Sequence, residues 1–438
     1  MPTRTSEAVR VAVLADSDTR WKWGALTARR ITPHPSIELS GFLLRGRATP
    51  TARQLAEVGA SADDLREATG GEFLRAVRDG QYDVVVLALV GGAVQAMLHG
   101  LAALELPRRP VVVTGYVGVV YEKLADGLLL RHGADVVLAN SRHDADRFRA
   151  VYEGVGADAS SVTEAALPFL GGAPYAARAD RDTVVFAAQP SVPESRADRT
   201  YLLRRLVEHA RLHPGREVLL KLRSKPGEHT THLEELPYQR LADKLPGGLP
   251  PNLSLVYGHM GEVLDRTDLL VTVSSTAALE SLHRRIPTAI LSDLGVREAL
   301  GNHHFLGSGL LTSWDQLDGG RRPDPDPQWL DRQGVAADGS YASAFDTARA
   351  RVAELLTKRE LPRIAPYYTP ATAPGYLPAL LARHHLGPDG APLHGAAPKA
   401  APTGLRRVVR DAVREAARGA YRQGVQRVAP VIRRMGEL

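Results

Sequence analysis

LLVTVSSTAALESLHRRIPTAIL, residues 269–291, carries the clearest pattern in the chain. An apolar run of strand length, Leu269–Val273, stops at three hydroxyl residues, Ser274, Ser275 and Thr276. A helical stretch, Thr276–Arg285, begins there at once, and Pro287 opens a further strand, Thr288–Ser292. A strand without polar alternation is covered on both faces, the habit of parallel sheets. Hydroxyls and free backbone N–H groups converging at a helix start make a place for a phosphate. Glu280, one turn further in, offers a carboxylate to two vicinal hydroxyls of a ribose. The same residues also serve as a helix cap with a first-turn acid, and the pattern alone weighs the two readings equally.

Outward from this stretch, strand–helix alternation continues in both directions. Thr183–Ala188, Glu217–Leu222 and Leu253–Tyr257 read as strands, with a helix at Ala197–Leu212. Before them come Arg10–Ala15, Ile37–Leu44, Asp83–Leu89, Val111–Thr114 and Asp135–Ala139, with helices at Ser61–Asp79 and Arg142–Glu153. The stretch between, Leu170–Asp182, is rich in Gly and Ala and shows no strand pattern. The fold class expected is therefore α/β, with two Rossmann-like domains facing a cleft. The boundaries expected are residues 1–170, a linker at 171–182, and a second domain at 183–340. Helices at 341–385 pack back on the body, a flexible Pro/Gly/Ala linker covers 386–404, and a C-terminal amphipathic helix covers 405–438. Ligands of open α/β sheets bind at the carboxyl ends of strands, so the loops there carry the chemistry.

Composition narrows the classes. The chain of 438 residues has no cysteine, which removes disulfides, thiolate catalysis and cysteine metal sites. No apolar run is long enough to span a bilayer, and residues 1–10 show no signal-peptide pattern, so a cytoplasmic protein is expected. The net charge is +6, yet residues 391–438 hold nine Arg and one Lys against three acids, or +7, leaving −1 for the rest. A nearly neutral body argues against nucleic acid as a partner. In the tail, Val408, Val409, Ala412, Val413, Ala416 and Ala417 form an apolar stripe, with Arg406, Arg410, Arg414 and Arg418 opposite. Such a helix fits an anionic membrane surface at the inner face of the plasma membrane, and it equally fits a protein partner.

The stretch Val271–Pro287 (strand, hydroxyl residues, an acid, then Pro seven residues on) resembles the nucleotide-binding half of GT-B glycosyltransferases. The similar group includes sialyl-, polysialyl- and Kdo-type transferases, glycerophosphotransferases and sugar-nucleotide epimerases. More narrowly, the chain is similar to an uncharacterised actinobacterial group of glycosyltransferase-like proteins. The resemblance implies a GT-B-like fold and a metal-independent transferase without a cofactor. Such an enzyme moves a sugar from a nucleotide-sugar donor to a cell-envelope glycan or lipid-linked acceptor. It implies that Ser274, Ser275 and Thr276 hold the donor phosphate and Glu280 the ribose. Where sialyl and polysialyl enzymes carry His-Pro, this chain reads Leu220-Lys221-Leu222-Arg223, so Lys221 and Arg223 take the phosphate role. Gln189, directly after Phe186-Ala187-Ala188, lies where a loop touches the donor. His229, His232 and Glu228 form a weak metal pattern that this chemistry does not need.

The first loop, Asp16-Ser-Asp-Thr-Arg-Trp-Lys-Trp-Gly24, crowds acids, bases and two Trp at the end of the first strand. On the GT-B resemblance this side supplies the base and the acceptor contacts. Asp16 or Asp18 takes the acceptor proton, Arg20 and Lys22 hold an anionic acceptor, and Trp21 or Trp23 stacks on a sugar. The competing reading is an N-cap with Trp packed beneath it. Asp16-x-Asp18 also suits a GT-A metal motif, which leaves the second half of the chain unexplained, or a haloacid-dehalogenase phosphatase, which wants Thr or Val where Arg20 stands and a later paired acid that the sequence does not show. Gly115, Tyr116 and Arg131 complete the acceptor candidates, and Asn140-Ser141 caps the helix that follows. Alternatives to a transferase are a non-hydrolysing sugar-nucleotide epimerase and a non-catalytic nucleotide-sugar-binding protein.

Overall fold

The computed structural model describes residues 8–34, 36–46, 48–118, 123–225, 236–335 and 340–393. It divides into two compact units. Unit 1 comprises residues up to Gly171 together with Pro325–Leu393, and unit 2 begins at Gly172 and runs to Asp324.

Unit 1 holds β1 (Val9–Ala15), β2 (Ile37–Leu44), β3 (Asp64–Ala68), β4 (Val84–Ala88), β5 (Val111–Gly115), β6 (Val136–Ala139) and β7 (Val162–Glu164). Their order is β3-β2-β1-β4-β5-β6-β7, and every pairing is parallel. Unit 2 holds β8 (Thr183–Ala187), β9 (Glu217–Lys221), β10 (Leu253–Val256), β11 (Leu269–Thr272), β12 (Thr288–Leu291) and β13 (Leu311–Thr312), ordered β10-β9-β8-β11-β12-β13 and again parallel. Both sheets reverse direction of growth at their centre, between β1 and β4 and between β8 and β11. Those are the topological switch points where such sheets bind ligands.

The apolar runs alternate faces as a doubly covered sheet requires. Ala12 and Leu14 of β1 enter one core with Phe42 and Phe73, while Val11 and Val13 enter the other with Trp21 and Trp23. In β8, Val184 and Phe186 face one core and Val185 and Ala187 the other.

Among the described residues one device recurs four times and is written in the sequence. An Asp stands directly before β3, β4, β6 and β11, as Asp63, Asp83, Asp135 and Asp268. Each donates its backbone N–H to the carbonyl of one residue on the neighbouring strand: Leu39, Arg10, Val112 and Thr183 respectively. Each carboxylate then accepts the N–H of that same residue, at 2.7–3.0 Å. This two-point clasp satisfies backbone groups at the strand entrance and fixes register.

The helix expected over Ser61–Asp79 is corrected. Asp64–Ala68 is an edge strand and the helix spans Gly70–Gly80, capped by Thr69. The strand's first four residues are exposed, so its polar sequence hides it from a pattern search, and only the neighbouring β2 and the Asp63 clasp hold it extended. The short strands β7 and β13 are further elements that the apolar pattern misses.

Candidate functional site

The register of unit 2 assembles its site. Ala187 pairs with Lys221 on one side and Thr272 on the other, so the ends of β8, β9 and β11 lie level. Gln189, Arg223 and Ser274 each stand two residues beyond that level. Gln189 reaches across the switch point. Its Oε1 accepts Ser274 N–H at 3.0 Å, and its Nε2 donates to Ser274 Oγ at 3.2 Å. Ser274 is buried, and its hydroxyl donates to Leu300 O at 2.6 Å. Thr272 Oγ1 donates to Ala187 O and accepts Ser275 N–H, tying the turn to β8. Ser275 and Thr276 stay partly exposed, and Glu280 is 8% exposed. Lys221 and Arg223 are half-buried at the same edge, with Lys221 Nζ donating to Leu222 O at 2.8 Å.

The helix after Ser275 is shorter than expected, Ala277–His283. Ser275 Oγ accepts Ala277 N–H at 3.2 Å, while Thr276 makes no cap bond. Seven residues give little macrodipole, so hydroxyls, amides and cations carry the weight at this edge.

Two residues that sequence reasoning missed support the loops. Arg199 is 1% exposed, and its Nη1 donates to the carbonyls of Gln189, Pro190 and Pro193 at 3.1–3.3 Å. Asn302 donates Nδ2 to Leu291 O and Gly295 O, which shapes the loop that presents the Leu300 carbonyl. Neither lies in a motif. Each is defined by carbonyls brought near it in space.

In unit 1 the corresponding switch point holds Asp16. Its Oδ2 accepts Val90 N–H at 3.0 Å, and its Oδ1 accepts from Arg20 Nη1 at 3.0 Å. Ser17 caps the helix Asp18–Ile31, and Asp18 is 8% exposed in its first turn. Lys22 lies 4.9 Å from the Phe169 ring. Tyr116 sits under Arg131, whose guanidinium carbon is 3.9 Å from the ring centre, and burial pushes its phenol pKa up.

Four acceptor candidates are corrected. Trp21 is fully buried and donates Nε1 to Ala60 O at 3.1 Å, so it packs a core and offers no face to a sugar. Trp23 is buried likewise. Gly115 is small because of that ring: a Cβ there would meet Trp23 at 2.8 Å and Leu138 O at 3.0 Å. Arg131 is 5% exposed and donates to the carbonyls of Gly115, Gly127 and Leu89, bracing the ends of β4 and β5. Ser141 does cap the helix Arg142–Gly154, and Asn140 instead clamps the carbonyls of Tyr116 and Gly118. Residues 228–232, which carry the His/Glu pattern, and the basic tail lie outside the described residues.

Among the described residues, His209, His213 and Asp318 bring ligand atoms within 4.8 Å of one another. They fit an ion-pair network better than a cation. His209 Nδ1 meets Asp318 Oδ1 at 2.5 Å, its Nε2 faces Arg216 Nη1 at 3.0 Å, and Arg205 holds the other Asp318 oxygen at 2.9 Å. Both ring nitrogens are thus engaged, Nε2 as an acceptor, which makes the imidazole neutral. Burial lowers the His209 pKa, and Asp318 opposes the shift. Below the ordinary histidine value the unfolded chain binds the extra proton, so this part of the stability is complete above about pH 6.5. It is lost as pH falls. Thermal unfolding between pH 8 and pH 5 should show a fall that H209Q flattens, and an unaltered slope in H209Q would assign the fall to other groups.

Residues 11–355, more than three-quarters of the chain, match the family described as "Putative glycosyltransferase (DUF6716)". The chain belongs to that family. No curated protein matches it. Among solved structures, the S. aureus MnaA–UDP co-structure aligns at a TM-score of 0.51 with 10% identity, over 82% of this chain and 100% of that one. UDP-GlcNAc 2-epimerase from Neisseria meningitidis, bound to UDP-GlcNAc, aligns at 0.44 with 12% identity, over 80% and 100%. The glycosyltransferase SnogD from Streptomyces nogalater aligns at 0.39 with 15% identity, over 80% and 96%. At such identities a likeness speaks for fold alone, and the first of these agrees with two Rossmann-like α/β units of the GT-B kind. Among the described residues no helix is long and apolar enough to cross a membrane.

Proposed function

We propose that this family member transfers a glycosyl group from a nucleotide-sugar donor, held by unit 2, to an envelope glycan or lipid-linked acceptor. The observation that carries the reading is the convergence of Gln189, Lys221 and Arg223 at the level ends of β8, β9 and β11, around a buried Ser274 whose own N–H and O–H are spent on Gln189 and Leu300. Partly exposed Ser275 and Thr276 add hydroxyls there, and Glu280 supplies a carboxylate for the ribose. The family description and the UDP held by the similarly folded MnaA both support a nucleotide sugar. Hydrogen-bond donors fixed before the reaction stabilise the charge that develops on the leaving phosphate, with no reorganisation at the moment of transfer. On the acceptor side Asp16 and Asp18 supply the carboxylates for the hydroxyl proton. No step needs a metal.

Calorimetry against UDP, CDP, GDP and CMP tests the donor side. E280A should weaken the nucleotide that binds by about tenfold, the value of a lost charged hydrogen bond. Unchanged affinity would remove Glu280 from the ribose. Turnover separates the enzyme classes. Nucleotide release that requires an acceptor supports transfer, donor consumption without one marks an epimerase, and binding without release marks a non-catalytic protein.

A further inference from the structure

The two switch points are built alike. In each unit the loop after the first strand sends a side chain across to accept the backbone N–H of the loop after the fourth strand. In unit 1 it is Asp16 Oδ2 on Val90 N, at 3.0 Å, and in unit 2 it is Gln189 Oε1 on Ser274 N, also at 3.0 Å. The strand orders place β1 beside β4 and β8 beside β11, so the two contacts are topological equivalents.

Their chemistry differs. The Asp16 carboxylate only accepts, and its second oxygen is paired with Arg20. A carboxamide also carries two N–H donors. The Ser274 N–H fixes which end of the Gln189 amide is the oxygen, so the NH2 group faces the other way. One of its hydrogens goes to Ser274 Oγ. The second has no acceptor among the described residues. The backbone that carries this amide is held by Arg199, whose Nη1 binds three carbonyls of the loop, those of Gln189, Pro190 and Pro193. The Arg199 guanidinium is itself seated 4.3 Å from the buried Tyr238 ring. The amide is therefore aimed before any ligand arrives.

We propose that Gln189, positioned by Arg199, is the residue that lets the unit 2 switch point take an anionic group. On the function proposed above, which this inference rests on, that anion is the donor phosphate. The free amide hydrogen of Gln189 donates to it, and Arg199 acts only through Gln189.

The test is UDP affinity of the full-length chain by calorimetry, with thermal unfolding in parallel. Q189E keeps an oxygen for Ser274 N–H, and Q189A loses it. A merely structural role makes the Glu variant the better of the two. The proposal requires the reverse. Q189A should bind about tenfold more weakly than wild type, and Q189E about 10- to 100-fold more weakly, because a carboxylate then faces the phosphate. R199M should weaken UDP in the wild-type background and add nothing in the Q189A background, the signature of one residue acting through another. Should R199M not fold, the order of Q189E and Q189A still decides. Q189E binding as well as Q189A or better overturns the proposal and leaves the proposed function standing. A wild-type chain that binds none of UDP, CDP, GDP and CMP overturns both.

Discussion

D268A should destabilise unit 2 by about 3 kcal/mol, the low end of the cost of breaking a buried ion pair. Asp268 is 6% exposed and serves several donors at once. Thr183 N–H reaches Oδ2 at 2.8 Å, and Arg181 approaches both oxygens at 2.9–3.0 Å. Alanine leaves the Thr183 N–H at the mouth of the central strand with no acceptor, and a guanidinium without its partner. The lower end of the range applies because Arg181 is 20% exposed and water screens part of its loss. D268N keeps an oxygen for Thr183 and should cost about 1–2 kcal/mol. Trp314, fully buried in unit 2, reports the transition by fluorescence in a urea titration. If D268A unfolds with the wild-type midpoint, the strand-entrance clasp contributes nothing to stability, and the same doubt extends to Asp63, Asp83 and Asp135.

W21A should cost unit 1 about 3–5 kcal/mol, the range for removing a large buried aromatic. Trp21 has no exposed surface, its indole N–H is bonded to Ala60 O, and its ring edge fills the space that a Cβ at Gly41 would need, at 2.6 Å. The outcome separates two roles for the same residue. A core Trp lowers the calorimetric midpoint and leaves acceptor KM alone in whatever fraction stays folded. A Trp that stacks on sugar does the opposite. A W21A protein of wild-type stability with a raised acceptor KM would restore the stacking role and contradict the packing described above.

Much of the architecture is readable without coordinates, for a local reason. Asp83-Val-Val-Val-Leu-Ala and Asp268-Leu-Leu-Val-Thr announce a strand covered on both faces, because burial on both sides removes polar alternation from neighbouring residues. The hydroxyl run at Ser274–Thr276 likewise marks a strand end, since the same few residues must turn the chain and satisfy its free N–H groups. β3 escapes this logic. Its residues Asp64–Glu67 face water, so nothing in their own order demands a strand, and only pairing with β2 supplies the reason.

The first loop shows where local order stops informing. Asp16, Asp18, Arg20, Trp21, Lys22 and Trp23 look alike as crowded functional residues. Tertiary packing around the helix buries both Trp21 and Trp23 and leaves Asp16 at the carboxyl end of β1. Whether a Gly makes room for a ligand or for a ring, as at Gly115, depends on a Trp 92 residues away. Gln189 and Ser274 stand 85 residues apart, and their bond exists because β8 and β11 are neighbours in the sheet. The sequence by itself determined the strands that are buried on both faces, about where each of them ends, and that hydroxyl and basic groups gather at those ends. Only the tertiary structure decided which ends meet and which side chains remain available there. Strand order is a choice among distant pairings, and no periodicity of adjacent residues encodes it.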